Sequence, residues 1–502
     1  MGEQVPLLLW ALELFSALVM AALLALVVWV VVAYWQDVHQ TRHTIRRNFP
    51  VLGRFRYFFE YLGEFFRQYF FAMDREELPF NRAQRSWVYR AAKGIDTTLP
   101  FGTTLDISRP GTIIFVPAPF PSLAGDGEPE PVLIGPHCTH PFETRAIVNI
   151  SAMSFGALSR PAIEALSRGA RKAGIWLNTG EGGLSPYHLV GGCDLVFQIG
   201  TAKYGVRDAQ GNYDLERLRE LAALPQIKMF ELKLSQGAKP GKGGILPGIK
   251  VTEEIARIRG IPAGRDSLSP NGHPDIRSLD DLLERIAWLR AVTGKPVGFK
   301  MVAGDLAFFD DLCLAILHRG SEAAPDFITL DSGDGGTGAA PQSLMDHAGL
   351  SIRESLPLVV DKLAAAGLKE RIRVIASGKL LLPADVAWAL CAGADFVNVA
   401  RGFMFALGCI QAMQCNRNTC PTGVTTHDPE LQRGLDPLDK AERVANYARR
   451  LVREVAVIAH SCGVDSPRQL RREHARIVTG IGYSESLDAF YRKELERVKT
   501  GR

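Results

Sequence analysis

Apolar residues fall along this chain in three rhythms, and each predicts a different kind of element. From Leu14 to Trp35 they run for 22 residues without a charge. As a helix that run is about 33 Å long, enough to cross a hydrocarbon layer of about 30 Å. Trp10, Trp29, Tyr34 and Trp35 lie near its ends, where interfacial aromatics are favoured. The second rhythm sets Leu52, Phe55, Phe59, Leu62, Phe66 and Phe70 at helical spacing. Arg54, Arg56, Glu60, Glu64 and Arg67 interleave with them and exclude a second span. This stretch predicts an amphipathic helix whose apolar face packs on the main domain or lies on a bilayer.

The third rhythm follows a connecting region rich in Pro and Gly, Phe101 to Pro141. Short apolar runs occur at Ala146–Ile150, Ile175–Thr179, Leu195–Ile199, Ile227–Leu232, Val297–Val302, Phe327–Leu330, Val374–Ala376 and Phe396–Ala400. Amphipathic segments alternate with them, among them Arg160–Ala173, Leu279–Val292, Asp310–Leu317 and Pro383–Cys391. Strands alternating with helices argue for a parallel sheet, and eight such units over roughly 250 residues predict an α/β TIM (β/α)8 barrel. An open doubly wound sheet would want a GxGxxG loop after its first strand, and none is there. Beyond the barrel, Leu438–His460 and Ser486–Val498 read as helices, giving a C-terminal helical extension. The expected organisation is a transmembrane anchor over residues 1–36 and a juxtamembrane, aromatic-rich connecting region over 37–135. The barrel follows over 136–430 and the extension over 431–502.

Charge orients the anchor. Only Glu3 and Glu13 precede the uncharged run, whereas Arg42, Arg46, Arg47, Arg54 and Arg56 follow it. A signal peptide would carry Lys or Arg before a shorter apolar core. The positive-inside bias predicts a single-pass protein of the cell membrane, in the bilayer over residues 14–35, with its catalytic domain cytoplasmic. The net charge of +4, from 58 basic and 54 acidic residues, comes with no basic run backed by aromatics, so nucleic-acid binding is not expected.

The 47% hydrophobic fraction suits a sizeable core, and the 48 glycines point to many tight turns. The glycines gather where the predicted strands end: Asn178–Gly183, Gln236–Gly241 and Asp331–Gly338, with Gly378 and Arg401-Gly402 further on. In a barrel those ends form one face, where active sites are built. Five of the eight cysteines are scattered and read as small buried hydrophobes. Cys409, Cys415 and Cys420 instead form C-x5-C-x4-C directly after the eighth run. Zinc sites usually show C-x2-C pairs or His partners. Three thiols so spaced, ending in Cys420-Pro421, suit an iron–sulfur cluster.

At these loops the chain resembles the FMN-binding synthase domain of glutamate synthase. The matching stretches are Ser151-Ala-Met-Ser-Phe-Gly-Ala-Leu-Ser159, Asn178-Thr-Gly-Glu-Gly-Gly183, Gln236-Gly-Ala-Lys-Pro-Gly-Lys-Gly-Gly244 and Leu246-Pro-Gly248. Asp334-Gly-Gly-Thr-Gly-Ala339, His347-Ala-Gly349, Leu407-Gly-Cys409, Asn418-Thr-Cys-Pro421 and Asp428-Pro-Glu430 continue the set. The resemblance implies FMN with its phosphate at Gly378, Arg401 and Gly402, cofactor contacts at Gly335 and Gly336, and Met153, Ser154, Gln198 and Lys233 along the isoalloxazine. Lys300 would place its charge near the flavin N1–C2 carbonyl; its other reading is a barrel lysine paired with a carboxylate. Glu181 would belong to the keto-acid and ammonia end, as a proton acceptor for the attacking amine or as support for neighbouring groups. Cys409, Cys415 and Cys420 would ligate a [3Fe–4S] cluster.

The implied reaction is reductive amination of 2-oxoglutarate through 2-iminoglutarate to L-glutamate. The family's glutaminase domain, its C-terminal β-helix and an NAD(P)H motif are not expected here. Ammonia would then arrive free or from a partner, and electrons from a ferredoxin or a reductase subunit. Two other readings keep the cofactors: another amine or keto acid, as in N-methylglutamate synthases, or a membrane-tethered electron-transfer subunit.

Overall fold

The computed structural model describes residues 4–123, 125 and 129–500. The chain forms two compact units, Met1–Ala83 and Gln84–Arg502. In the first, the uncharged run lies within one 36-residue helix, Gln4–His39. Its stretch Leu9–His39 is long and apolar enough to cross a membrane; its most apolar 18-residue window has a mean hydropathy of 2.8 and none of it is buried inside the structure. Short helix Thr44–Asn48, helix Leu52–Phe66 and a π-helical turn, Arg67–Phe71, complete this unit.

The second unit is built on a closed barrel of eight parallel strands, and each arises from one of the eight apolar runs. They are β1 (Val148–Ile150), β2 (Leu177–Asn178), β3 (Leu195–Ile199), β4 (Ile227–Lys233), β5 (Val297–Val302), β6 (Phe327–Asp331), β7 (Arg373–Ser377) and β8 (Phe396–Val399). The sheet closes where Val397 and Asn398 of β8 pair with Val148 and Asn149 of β1. Strands buried on both faces read as continuous apolar runs rather than alternating ones, which is why they stood out. Lys300 on β5 is level with Lys233 on β4 and Thr329 on β6.

Local chemistry places the surrounding helices. Arg160–Ala173 begins where the Ser159 hydroxyl accepts the Ala162 N–H and ends at Gly174 in the left-handed region. Helix Pro437–Ser461 lies against it, and a Cβ on Gly169 would come within 2.5 Å of Val444. Only glycine permits that approach. At the N-terminal end of the barrel an antiparallel hairpin, Val132–Ile134 with Phe142–Thr144, brings Ile134 and Phe142 into one apolar cluster with Trp176, Met229, Phe327 and Phe396. That end is a packed plug, which leaves the opposite end for chemistry.

The C-terminal extension is α-helical at Pro437–Ser461 and Leu487–Thr500, but the stretch between holds two short 3-10 turns and a hairpin. Ala475–Gly480 and Tyr483–Ser486 form a hairpin, and Ile113–Phe115 of the connecting region adds a third antiparallel strand. These strands are three to six residues long, and the partners Ile113–Phe115 and Ala475–Gly480 lie near opposite ends of the barrel sequence. Periodicity over so few residues carries little signal, and pairing at that separation carries none.

Candidate active site

The strand ends collect an unusual density of buried charge. Glu231 of β4 is buried in the barrel and accepts hydrogen bonds from Asn178 Nδ2 (2.8 Å), Gln198 Nε2 (2.7 Å) and Thr329 Oγ1 (2.6 Å). Three strands are thereby tied to one carboxylate, and the Gln198 amide is committed to it. Burying a carboxylate is costly unless it is met by such donors.

Two ion pairs stand at the same end. Lys300 Nζ lies 3.0 Å from Asp331 Oδ2, so the lysine is paired, and Asp331 also accepts the Gly237 N–H at 3.0 Å. Burial alone would drive the Lys300 ammonium to release its proton, but Asp331, Glu231 and Glu181 reverse this and hold it above its ordinary value. Burial would likewise raise Asp331, yet Lys300 and the Gly237 N–H keep it below the usual carboxylate range. Lys233 Nζ lies 2.8 Å from Glu181 Oε1. Burial opposes ionisation of Glu181, while Lys233, Lys239 and Arg259 win and hold it low. Lys239 donates to the Ala339 carbonyl at 3.1 Å, and burial beside Lys233 lowers its ammonium to about 8.

Glycine matters here by absence. A Cβ on Gly244 would lie 2.4 Å from Glu181 Oε1, and one on Gly200 would lie 2.6 Å from Glu181 Cβ. Side chains at either place would displace the carboxylate. Met153 and Ser154 lie on the loop after β1, where the Met153 N–H donates to Asn178 O at 3.0 Å. Gly180 packs against Ser154 so closely that a Cβ would sit 2.7 Å from its nitrogen.

The loops after β6, β7 and β8 meet around Asp334. Lys379 Nζ lies 2.9 Å from Asp334 Oδ2, Arg401 Nη2 lies 3.5 Å from its carbonyl, and a Cβ on Gly336 would lie 2.8 Å from Arg401 Nε. Neighbouring Gly335 approaches the loop after β4 at Gly237. Gly378 has φ +120°, and a Cβ there would strike Ser332. Gly402 answers a different demand, since a Cβ there would lie 2.2 Å from the Tyr447 hydroxyl of the C-terminal helix.

The three clustered cysteines share the segment after helix Arg401–Leu407, where Gln411, Met413 and Asn418 take left-handed φ values. Burial pushes the Cys409 thiol up to about 12, with Cys415 and Cys420 adding to it. Burial is outweighed at Cys420 by hydrogen bonds from Thr422 and Thr425, and its thiol is lowered. Among the described residues no three His, Cys, Asp or Glu side chains converge closely enough to hold a metal ion. The donor set nevertheless fits an anionic iron–sulfur group: three thiols on one loop, with a buried lysine against it. Lys250 donates to Ala157 O at 2.6 Å and to Cys415 O at 3.2 Å, bridging the loop after β1 to the cysteine segment.

Lys250, Lys239, Lys379 and Asp331 were not singled out from the sequence as site residues. Neither was His188, which is buried with Nε2 2.9 Å from Met153 O and Nδ1 2.8 Å from the Ser185 hydroxyl. Burial lowers His188 to about 4, so it is neutral and its Nε2–H donates to Met153. Lys239 falls inside a glycine-rich stretch, whereas Lys250 and Lys379 follow a single glycine and His188 carries no such signal.

Residues 119–465 match the family model described as "Conserved region in glutamate synthase". The glutamate synthase large subunit-like protein YerD of Bacillus subtilis (strain 168) is 40% identical over 92% of this chain and 95% of its own length. The archaeal glutamate synthase [NADPH] of Methanocaldococcus jannaschii is 37% identical over 70% of this chain, which spans 64% of that relative's length. A glutamate synthase large subunit-like protein of Rhizobium meliloti (strain 1021) is 33% identical over 66% of this chain and 75% of its own.

Proposed function

Because the chain belongs to the glutamate synthase family of oxidoreductases, we propose that it is an FMN- and iron–sulfur-dependent enzyme that converts 2-oxoglutarate and ammonia into L-glutamate. Helix Gln4–His39 holds it in the cell membrane with the barrel on the cytoplasmic side, and domain boundaries near residues 36, 135 and 430 accompany this reading. One observation carries the reaction. A carboxylate kept ionised in a buried place, Glu181, stands within a set of ammonium groups, Lys233, Lys239 and Lys300.

That arrangement suits a dianionic keto acid and an attacking amine. Lys233 and Lys300 are balanced by Glu181 and Asp331, so Lys239 supplies the attraction for a substrate carboxylate, strengthened where water is excluded. Ammonia adds to the C2 carbonyl, and Glu181 carries two protons in turn from the nitrogen to the oxygen, which leaves as water to give 2-iminoglutarate. Lys300, the donor set after β6 to β8 and the loop carrying Met153 and Ser154 fit an FMN. Arg401 and Lys379 beside Gly335, Gly336, Gly378 and Gly402 would meet its phosphate; Lys300 would face its pyrimidine edge; Gln198 and Lys233 would border its ring. When bound, FMN supplies the hydride that reduces the imine carbon. Cys409, Cys415 and Cys420 would hold a [3Fe–4S] cluster, whose chemistry is one-electron transfer from a ferredoxin or a reductase subunit. Lys300 also keeps Asp331 ionised, so the reducing end of the site retains a fixed charge pattern.

The test is a single assay on protein extracted from membranes in detergent. With a chemically reduced viologen as donor, ammonium and 2-oxoglutarate should yield glutamate. Product only when methylamine replaces ammonium, or oxidation of the donor with no amino acid formed, would overturn the assignment.

A further inference from the structure

The unit before Gln84 ends its long helix with a buried charge cluster. Asp37 is fully buried and lies 2.8 Å from both Arg46 Nη2 and Arg54 Nε, and it accepts the Val51 N–H at 3.1 Å. Arg54 also donates to Ala33 O at 3.3 Å and Gln36 Oε1 at 2.9 Å. Gly53 lets the two short helices close up, since a Cβ there would lie 2.9 Å from Arg46 Cα. The start of helix Leu52–Phe66 is therefore fastened to the last turn of the apolar run. Residues 33–37 are where that run leaves the hydrocarbon, so position 54 is fixed at the depth of the lipid headgroups.

From that depth the helix and its π-helical turn display a row of uncovered aromatics: Phe55, Phe58, Phe59, Phe66, Phe70 and Phe71. Phe59 is 63% exposed and Phe71 75%. Exposed aromatic surface of this extent is unfavourable in water, while aromatic rings are favoured at the boundary of headgroups and acyl chains. With Arg46 and Arg54 paired to Asp37, Arg42, Arg47, Arg56 and Arg67 accompany the aromatics, against Glu60 and Glu64. Basic residues are attracted to an anionic cytoplasmic leaflet.

The geometry points to Leu52–Phe71 as a second membrane contact, an interfacial helix lying in the anionic cytoplasmic leaflet beside the span. This rests on the reading of Gln4–His39 as a span, which sets its depth. It gives the anchor a fixed angle of entry rather than a free swivel.

The test uses the full chain in its own membranes, with a photoreactive residue at one position. Phe59→p-benzoylphenylalanine and Phe70→p-benzoylphenylalanine are compared with Leu24→p-benzoylphenylalanine inside the span. After irradiation, mass spectrometry should find phospholipid adducts at all three. Adducts at 24 but not at 59 and 70, or adducts there only to this chain or to another protein, would overturn the interfacial contact and leave the span intact. No lipid adduct at any position, with the protein in the soluble fraction, would overturn the span as well.

Discussion

Lys250 donates a hydrogen bond of 3.2 Å to the carbonyl oxygen of Cys415, from an ammonium group buried with its other contact on Ala157. A buried cation beside Cys415 and Cys420 favours whatever negative charge they carry. Lys250→Met should leave the barrel folded and lower the midpoint potential of the proposed cluster. A fall on the order of 60 mV corresponds to tenfold for one electron. An EPR-monitored redox titration of both proteins measures it, and an unchanged potential would remove Lys250 from any part in tuning.

Cys415→Ser removes the middle of the three thiols. Anaerobically purified protein should then lose its iron and acid-labile sulfide, together with the EPR signal of an oxidised three-iron cluster. Stoichiometric zinc without sulfide in the unaltered protein would mean that the spacing has been misread.

Lys300→Met deletes a charge that Asp331 uses as its partner at 3.0 Å. A buried carboxylate without its cation costs about 3–5 kcal/mol, so the single variant should melt well below the parent. Lys300→Met combined with Asp331→Asn should recover much of that loss. In both, the potential of bound flavin should drop and turnover should fall at least tenfold, about 1.4 kcal/mol in the barrier. Recovered stability with unchanged potential and turnover would make the pair purely structural.

Glu181→Gln keeps the shape of the side chain under Gly200 and Gly244 but cannot accept a proton. Glutamate formation should fall by about 10² or more, with flavin content intact. Lys233→Met, which removes the 2.8 Å partner, should instead shift the acid limb of the pH–rate profile upward. Its carboxylate is then left to burial with weaker opposition, and burial raises it. Identical profiles for parent and Lys233→Met would exclude Glu181 as the titrating base.

His188 ties pH to stability. Its folded value is about 4 against an ordinary 6.5, so between those limits the unfolded chain binds the extra proton. Stability should therefore be full above about pH 6.5 and decline as pH falls toward 4. His188→Gln, whose amide can still donate to Met153 O, should flatten that decline. Thermal melts at pH 7.5 and 5 in both proteins decide it; parallel slopes would show that other groups cause the loss.

By itself the sequence determined the eight barrel strands, four of the helices around them and the strand ends where glycines collect. Strands buried on both faces need unbroken apolar runs, and tight turns near a site need glycine, so both signals are local. It also marked Cys409, Cys420 and Glu181 as candidates because they fall in recognisable stretches, Cys415 by its spacing between those cysteines, and Lys300 as a lysine near the end of the fifth apolar run. Which charge meets which was decided only by tertiary structure. Lys300 finds Asp331, Lys233 finds Glu181, and Asn178, Gln198 and Thr329 share Glu231 because barrel closure sets adjacent strands in one register. The same holds for Lys250 between two distant loops, and for Ile113–Phe115 pairing with Ala475–Gly480. A charge buried in a barrel is stable only beside its partner, and that partner is chosen by the packing of the whole sheet, which no local period in the chain encodes.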